Sequence, residues 1–336
     1  MTTVLMKQTR SLRSLEAAWR NVRSNGFNSK SPIVQKEIRQ FDDDAYGKLR
    51  SLQARLVHGS FVFPPARGVP IPKSNKKDIR PLVVASVETR IVQRAILDTM
   101  QGVAPLQGHF RNPYSFGGIK RGEDAELAAV PAAIQAVLDA IGAGGAYVVC
   151  ADITAFFTRI SKSAVADIVA SVIDDAEFMS LFRRSIHVEL ENLAALREHA
   201  DRFPTKDIGV AQGSALSPLL GNIILADFDR RMNADGCYCL RYIDDFIVLG
   251  PSPTAVMARL RLGRQLLVAL GMALSPGKTS PHAISVSEGF EFLGIELKNG
   301  LIRPAAKARA KFLTSVRVAF SGKWRGFSSA IWRAEC

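Results

Sequence analysis

Two adjacent acids, Asp244 and Asp245, stand between apolar runs in the stretch 240–249. A carboxylate buried among apolar side chains is costly unless it is paired or bound to a metal ion. The flanking residues have the pattern of two strands, which predicts a tight hairpin with the acids at its tip, pointing to opposite sides. A solvated Asp-Asp turn is the simpler interpretation. Tyr242 and Phe246 argue against it, because a solvated turn does not need aromatic side chains around it.

A third acid, Asp152, stands near the end of another apolar strand, 146–153. Neighbouring strands could bring Asp152 and Asp244 together although they are far apart in the sequence. Converging carboxylates repel each other unless divalent cations neutralise them. Mg²⁺ binds one or two carboxylates together with substrate phosphates, and a pair of such ions stabilises both the attacking and the leaving oxygen of a phosphoryl transfer. The acids therefore indicate a polymerase or a nuclease.

The composition suits an enzyme that acts on a polyanion. The chain of 336 residues carries 44 Lys and Arg against 31 Asp and Glu, a net charge of +13. This charge favours nucleic acid or a membrane surface as the partner. No apolar run is long enough for a membrane-spanning helix, and residues 1–13 lack the apolar region of a secretory signal. We therefore expect a cytoplasmic protein without a membrane partner.

Cysteine and histidine do not suggest a chemistry of their own. The 4 cysteines have neither zinc-site spacing nor the density of a disulfide scaffold, and the 5 histidines are scattered. Cys237 and Cys239 alternate along one predicted strand and are interpreted as core residues. These patterns disfavour a zinc enzyme and a hydrolase based on histidine.

The elements that must position the acids are a mixture of helices and hairpins. After a basic helical region at 1–60 the sequence predicts a strand–basic hairpin–strand unit at 61–85, a Gly-rich loop at 112–122, helices at 124–141, 161–200, 218–232 and 252–271, and a hairpin at 290–301 turned by Asn299-Gly300. This mixture predicts the α+β class.

An ordered series of sequence blocks resembles the motifs of reverse transcriptases. Tyr242-Ile243-Asp244-Asp245 is similar to the Tyr-x-Asp-Asp motif of that family. The other blocks are Lys73 with Arg80-Pro81-Leu82 in the fingers, 152–157 as motif A, 212–218 as motif B, Lys278 as the motif D lysine, and Phe292-Leu293-Gly294 as the motif E primer grip. An isolated Asp-Asp pair is a weak indicator, whereas the ordered series is specific. The resemblance covers residues 55–310.

The resemblance implies an α+β right-hand polymerase with fingers and palm of the reverse transcriptase type and a short or reduced thumb. The implied divisions are an N-terminal helical basic extension at 1–60, fingers at 61–145, a palm with motifs A to E at 146–300, and a short basic thumb-like tail at 301–336. The basic residues at both ends are expected to follow the backbone of a template–primer duplex.

By the same resemblance, the acids would catalyse RNA-directed addition of deoxynucleotides. Asp152 and Asp244 would bridge two Mg²⁺ ions, for which Mn²⁺ could substitute, with the backbone carbonyl of Ile153 as a further ligand. Asp245 would add negative charge and orient the pair, and it is counted among the metal-site residues. Lys278 would protonate the leaving pyrophosphate.

The incoming deoxynucleotide would lie between the fingers and motifs A and B. Lys73 and Arg80 would neutralise its phosphates, while Gln212 and Gly213 would lie against the nascent base pair, where glycine permits close backbone approach. Phe157 would lie beneath the sugar and leave no room for a 2′-hydroxyl, so deoxynucleotides would be preferred.

Within the family, the chain is most similar to group II intron enzymes. Motifs typical of retron and diversity-generating enzymes are absent from the sequence, and residues 301–336 are too few for a full maturase thumb, a DNA-binding domain or an endonuclease. In this it resembles the compact bacterial reverse transcriptases of antiphage defence. That resemblance implies a structured noncoding RNA as template, with a partner protein or self-assembly to support processivity.

Two other interpretations stay open. The chain could be a group II intron-like maturase or RNA-binding protein that keeps the palm as a scaffold, although clustered buried acids give a scaffold no advantage. It could also be a protein-primed or untemplated DNA polymerase, in which a Tyr, Ser or Thr hydroxyl replaces the primer end. The sequence identifies neither the template, the primer nor the oligomeric state.

Overall fold

The computed structural model describes residues 4–73, 78–118, 127–298 and 300–321. The α-helices in these ranges are α1 Val4–Thr9, α2 Leu12–Phe27, α3 Pro32–Asp42, α4 Ala45–Val57, α5 Val87–Gln101, α6 Ala104–Gln107, α7 Ala129–Gly142, α8 Lys162–Ala170, α9 Ala176–Ile186, α10 Ser217–Ile224, α11 Ala226–Met232, α12 Pro253–Ala269 and α13 Ala306–Phe320. Short 3₁₀ helices lie at Phe156–Thr158, Ala194–Arg202 and Val286–Glu288.

The strands form small antiparallel sheets. They are β1 Arg67–Pro72, β2 Ile79–Val84, β3 Tyr147–Asp152, β4 Tyr238–Tyr242, β5 Asp245–Gly250, β6 Ile284–Ser285, β7 Phe290–Phe292, β8 Ile295–Lys298 and β9 Leu301–Pro304. Their sheet orders are β1-β2, β4-β5-β3-β6 and β7-β8-β9. Helices and sheets alternate along the chain, which confirms the α+β class.

The predicted helical character of residues 1–60 is confirmed over α1 to α4. Ser11, Ser31 and Asp44 begin three of these helices, because each side chain accepts a hydrogen bond from an unpaired backbone N–H of the first turn. Trp19 of α2 packs in one hydrophobic core with α5 and α9. The Asp175 carboxylate also accepts hydrogen bonds from the first turn of α1. The N-terminal helices are therefore built into the main core.

The β1–β2 hairpin pairs from Arg67 opposite Val84 to Pro72 opposite Ile79, as the strand–hairpin–strand prediction requires. Residues 74–77 of the predicted basic turn 73–80 lie outside the described residues. The hairpin is fastened from the side by Asn192, whose Oδ1 accepts from the Gly68 N–H at 2.8 Å and whose Nδ2 donates to the Gly68 carbonyl at 2.9 Å. These two bonds satisfy the backbone N–H and C=O groups of Gly68 at the strand edge.

The central sheet has β3 and β5 as its inner strands, and its register sets the positions of the acids. Asp152, the last residue of β3, stands opposite Asp245, the first residue of β5. The β4–β5 hairpin closes at Tyr242 opposite Asp245, which leaves Ile243 and Asp244 as its turn. Alternate residues of these strands face two separate hydrophobic clusters, so the sheet is buried on both sides.

Four predicted elements differ from the structure. The region predicted to be mainly helical at 161–200 consists of α8, α9 and a 3₁₀ helix, with non-helical residues at 187–193. The helix predicted at 218–232 is divided at Leu225 into α10 and α11. The predicted helix 124–141 begins only at Ala129 in the described part, and its first residues lie outside that part. The predicted hairpin 290–301 is a three-stranded meander, because Leu293 (φ 51) and Gly294 (φ 76) make an additional turn. Asn299 of the predicted turn also lies outside the described residues.

Two further features bear on partners. None of the helices in the described ranges is long and apolar enough to cross a membrane. Helix α13, which follows β9, contributes no buried residue to the core. Arg309 of this helix pairs with Glu296 of β8, whereas Lys307 and Lys311 are exposed.

Candidate active site

The structure brings Asp152, Asp244 and Asp245 together at one end of the central sheet. The register places Asp152 directly opposite Asp245. The backbone N–H of Ile153 donates a hydrogen bond of 3.0 Å to the carbonyl of Asp244, which ties the hairpin turn to the end of β3. Acids from two distant parts of the sequence thus share one small region.

Crowding of the carboxylates changes their proton affinity. The pKa of Asp245 is raised to about 6, first by loss of hydration and then by repulsion from Asp244 and a hydrogen bond with the carboxyl group of Asp152. Loss of hydration also raises the pKa of Asp244, and the positive charges of Lys278 and Arg80 oppose this effect. A cluster that resists full ionisation is one that a cation would stabilise.

Lys278 contacts the acids directly. Its Nζ donates to Asp152 Oδ2 at 2.6 Å, and this hydrogen bond is the main reason why the pKa of Lys278 is raised. A turn at Ser275 places the lysine: the Ser275 N–H donates to the Asp152 carbonyl at 2.7 Å and its own carbonyl accepts from the Lys278 N–H at 3.2 Å. This turn, which contains Pro276-Gly277, places Lys278 at the acids.

The two basic residues predicted to bind phosphates have different surroundings. Arg80 on β2 is exposed and close enough to the acids to lower the pKa of Asp244. Lys73 is bound instead to Asp78, with 2.7 Å between Nζ and Oδ2, and Asp78 also accepts from Arg202 at 3.1 Å. The hydrogen bond from Lys73 is the main cause that lowers the pKa of Asp78. The charge of Lys73 is therefore already partly neutralised by Asp78.

Gln212 and Gly213 lie against the β1–β2 hairpin. The Val83 N–H donates to the Gln212 carbonyl at 2.8 Å. A Cβ atom on Gly213, whose φ is +111°, would lie 2.8 Å from the Val83 carbonyl oxygen. The close backbone approach that this glycine permits is therefore to β2. Ser217, whose hydroxyl donates to the Ala211 carbonyl at 2.7 Å, is the first residue of α10.

Phe156 and Phe157 follow Asp152 on a short 3₁₀ helix. Ala155, with φ 50° and ψ 40°, adopts the left-handed conformation that turns the chain after β3. Phe156 is buried and its ring fills the space beside Gly221 of α10. Phe157 is half-buried, with its ring centroid 5.3 Å from that of Phe156. One phenylalanine is thus a core residue, and its neighbour keeps an accessible edge.

The predicted primer-grip residues form the end of the β7–β8 hairpin. Phe292 is buried and packs in the hydrophobic cluster on one face of the central sheet. Leu293 and Gly294 make the turn, and both have positive φ angles. A contact of 3.6 Å between Cys150 Sγ and the Glu291 carbonyl joins this hairpin to β3. The turn is thereby held at the sheet that carries the acids.

The sequence interpretation assigned no role to a buried polar cluster behind the acids. Arg241 of β4 is fully buried and pairs with Asp229 of α11, which is equally buried. Asn222 of α10 also accepts a hydrogen bond from Arg241, at 3.0 Å. An arginine inside an apolar strand was the available indication, but spacing in the sequence does not reveal its partners.

The acids do not form a ready-made metal cage. Across the described ranges, no group of three or more His, Cys, Asp or Glu side chains is arranged to hold a metal ion. Mg²⁺ usually takes only one or two protein carboxylates and completes its shell with water and substrate phosphates. The close Asp152–Asp245 pair beside Asp244, with raised pKa values at Asp244 and Asp245, fits a site of this open kind.

Known proteins resemble the chain in sequence and in fold. Residues 71–297 match the family described as reverse transcriptase (RNA-dependent DNA polymerase). Protein YkfC of Escherichia coli strain K12 is 29% identical over 290 residues, a match that covers 74% of this chain and 71% of YkfC.

Two solved structures of apo telomerase from Candida tropicalis match the chain. One matches with 12% identity and a TM-score of 0.50, covering 72% of this chain and 49% of the telomerase chain. A form truncated from its C-terminal domain matches with 13% identity and a TM-score of 0.49, covering 72% of this chain and 55% of the other. The chain thus spans about half the length of these telomerase chains.

Proposed function

The chain belongs to the reverse transcriptase family, the RNA-directed DNA polymerases, and from this premise we propose that it joins deoxynucleotides to a primer at Asp152, Asp244 and Asp245. The observation that carries the proposal is the register of the central sheet, which sets Asp152 opposite Asp245 and beside the turn that holds Asp244. In the right-hand arrangement, β1–β2 belongs to the fingers, the central sheet to the palm, and α13 to a short thumb.

Divalent cations fit this site. We propose that Asp152, Asp244 and the Ile153 carbonyl hold two Mg²⁺ ions, or Mn²⁺ in their place, with Asp245 adding negative charge beside them. Such ions make the primer 3′-hydroxyl more acidic and neutralise the pyrophosphate. Other residues of the site would bind the nucleotide, orient it and supply a proton.

The fingers residues would bind the triphosphate. Arg80 already lies close enough to Asp244 to affect its pKa, so a phosphate beside the acids is within the range of its charge. Lys73 would exchange its bond to Asp78 for a phosphate oxygen, while Asp78 stays paired with Arg202. The exchange keeps the Asp78 charge neutralised, which lowers the cost of freeing the lysine.

Two residues would complete the reaction. Lys278, at 2.6 Å from Asp152, carries a proton at the site and would give it to the leaving pyrophosphate. Phe157 would lie against the sugar and exclude a 2′-hydroxyl, with Gln212 and Gly213 beside the new base pair. Leu293 and Gly294, with Phe292 beneath them, would hold the primer end.

Primer extension on an RNA template tests the proposal. Purified protein with the four deoxynucleotides and Mg²⁺ should extend an annealed primer, and EDTA or the change Asp244→Ala should abolish the product. An equal yield from wild type and Asp244→Ala contradicts the catalytic assignment and leaves an RNA-binding or maturase-like function. A product that migrates freely only after protease treatment indicates a protein hydroxyl as primer, and product without added RNA indicates untemplated synthesis.

For the biological role we propose copying of one structured noncoding RNA in the cytoplasm of a bacterium, as part of defence against phages. The support is the similarity of the motifs to compact defence-associated enzymes. Sequencing of the RNA and DNA that copurify with the protein should give one defined RNA and its complement, together with any protein partner. Phage plating on cells that express wild type or Asp244→Ala should show protection only with wild type. A random RNA sample and equal plating contradict this role.

A further inference from the structure

We propose that Arg241 is a positioning residue for Asp244, an inference that rests on the proposed function. Arg241 lies on β4 just before the acidic turn, and its exposed fraction is 0%. An arginine removed from water needs partners for its charge and its N–H groups inside the protein. The atoms that satisfy its guanidinium group therefore show what this residue holds in place.

The guanidinium group connects two helices to the peptide bond before Asp244. Its Nε and Nη2 lie 2.7 Å and 2.5 Å from the two carboxylate oxygens of Asp229 on α11. Its Nη1 donates to Asn222 Oδ1 on α10 at 3.0 Å and to the main-chain carbonyl of Ile243 at 2.9 Å. The last of these bonds reaches the strand turn itself.

The turn needs such support because its backbone is strained. Ile243 has φ +62°, a conformation that is unfavourable for a β-branched residue and persists only where the surroundings impose it. Arg241 holds the carbonyl of Ile243, and the N–H of Ile153 holds the carbonyl of Asp244 at 3.0 Å. Both peptide groups that flank the Cα of Asp244 are therefore fixed.

A second set of contacts supports the turn. Residues 114–117, which we call the strap, run along β4: the Arg241 N–H donates to the Tyr114 carbonyl at 2.8 Å, and the Arg241 carbonyl accepts from Phe116 at 3.0 Å. A Cβ atom on Gly117 would lie 2.7 Å from Cγ1 of Ile243. The strap thus packs tightly on the strained residue, and Asn222 Nδ2 holds it by a 2.9 Å bond to the Gly117 carbonyl.

Fold stability alone does not account for this cluster. A buried ion pair can often be replaced by apolar side chains of similar size without loss of stability. An apolar pair at Asp229 and Arg241 could fill the same space, but it could not donate a hydrogen bond to the Ile243 carbonyl. The expected loss is therefore in the position of Asp244, with the fold retained.

The test uses the double variant Asp229→Leu/Arg241→Met in the full chain. Single-nucleotide incorporation on an RNA template gives kcat and KM, and amide hydrogen exchange reports on the peptide that covers residues 242–245. We expect kcat to fall about a hundredfold, as small misplacements in active sites do, with KM for the deoxynucleotide unchanged. Exchange in the turn should become faster, while exchange in α2 and α5 stays as in wild type.

The matched control is Arg259→Met on α12, whose side chain contacts the segment that precedes β4. Arg259 also donates to main-chain carbonyls, those of Arg231 and Ala234, and it should leave kcat and turn exchange unchanged. A folded double variant with wild-type kcat overturns the inference, and so does a fall in kcat without faster exchange in the turn.

A second variant tests the inference if the double variant does not fold. Arg241→Lys keeps a positive charge for Asp229 but cannot reach both this carboxylate and the Ile243 carbonyl, so it should show the same pattern of kcat, KM and exchange. A wild-type kcat for this variant overturns the inference. Absence of DNA synthesis by the wild type contradicts the proposed function instead, and the exchange measurement then still decides whether Arg241 fixes the turn.

Discussion

Asp245 is the residue whose ionisation most directly reports the crowding of the acids. Its pKa is raised to about 6, from an unfolded value near 3.8, so the folded protein binds this proton more tightly than the unfolded chain. The favourable contribution of Asp245 to the free energy of unfolding is therefore complete at low pH. It is lost as the pH rises from about 3.8 to about 6. In metal-free protein, this residue should therefore reduce stability at neutral pH.

Asp245→Asn should raise the melting temperature in EDTA at pH 7.5, because the change removes the repelling charge. The gain should shrink as the pH falls through 6, measured by thermal unfolding across a pH series. Asp201→Asn, a change at an exposed acid away from the site, is the control and should show no such gain. A gain for Asp245→Asn that is independent of pH would contradict the assigned electrostatic cause.

Phe157 is expected to decide which sugar is accepted. Phe157→Ala should admit ribonucleotides by removing the ring that meets a 2′-hydroxyl, and the ratio of kcat/KM for deoxynucleotide over ribonucleotide should fall by about tenfold or more. Phe156→Leu, a change at the buried neighbour, should alter stability more than sugar selectivity. Unchanged selectivity in Phe157→Ala would place the ring away from the sugar.

Residues differ in how far the sequence reveals them. The acids were identifiable because charged side chains in apolar strands are costly without a use. Arg241 met the same criterion, yet its partners Asp229 and Asn222 come from helices that no spacing rule connects to β4. Likewise, the sharing of Asp78 by Lys73 and Arg202 depends on how a later segment packs against the hairpin.

At the scale of elements, the contact between β2 and the motif B loop depends on Gly213. A Cβ atom there would lie 2.8 Å from the Val83 carbonyl oxygen, and φ is +111°. Gly213→Ala should therefore push the β1–β2 hairpin away from the acids and destabilise the fold by about 1–3 kcal/mol. Because Arg80 moves with β2, KM for the deoxynucleotide should rise.

Gly59→Ala is the control that separates backbone strain from displacement of the hairpin. Gly59 also has a positive φ, +70°, but nothing lies within 4 Å of a Cβ atom added there. It should cost about 1 kcal/mol in chemical denaturation without changing KM. An equal KM for Gly213→Ala and wild type would show that the hairpin does not depend on this contact.

Elements that are determined by neighbouring residues in the sequence could be predicted. Elements that depend on contacts with distant residues could not. Helices α2 and α3 begin at serine caps that can be recognised in the sequence. The extra turn at Leu293 was missed because leucine is rare at positive φ. The fastening of β1 by Asn192 joins residues that are distant in the chain, and no periodicity predicts such a bond.

For the whole molecule, the net charge of +13 predicts that binding to a template–primer duplex weakens as salt rises. Lys307 and Lys311 are exposed on α13 and one helical turn apart. Changing both to glutamine should reduce the slope of log affinity against log salt by up to about two, since each phosphate contact contributes about one. Fluorescence anisotropy measures the slope, and an unchanged slope would place the duplex away from α13.

The α+β class was also predictable at this scale, because the alternation of helical and strand patterns appears throughout the sequence. The relation of the N-terminal helices to the rest was not. The sequence predicts residues 1–60 as an N-terminal helical basic extension without showing what it packs against, and in the structure Trp19 shares a core with α5 and α9. Hydrophobic faces indicate that a helix packs, but they do not indicate its partner.

The central claim is that the acids at the end of the central sheet catalyse DNA synthesis. The most direct measurement is the rate of addition of one deoxynucleotide to a primer on an RNA template by Asp244→Asn, compared with wild type in single-turnover conditions. Asparagine keeps the size of the side chain and removes its charge. The rate should fall by at least about a thousandfold, equal to about 4 kcal/mol of transition-state stabilisation. A rate within about threefold of wild type in a folded variant would contradict the account.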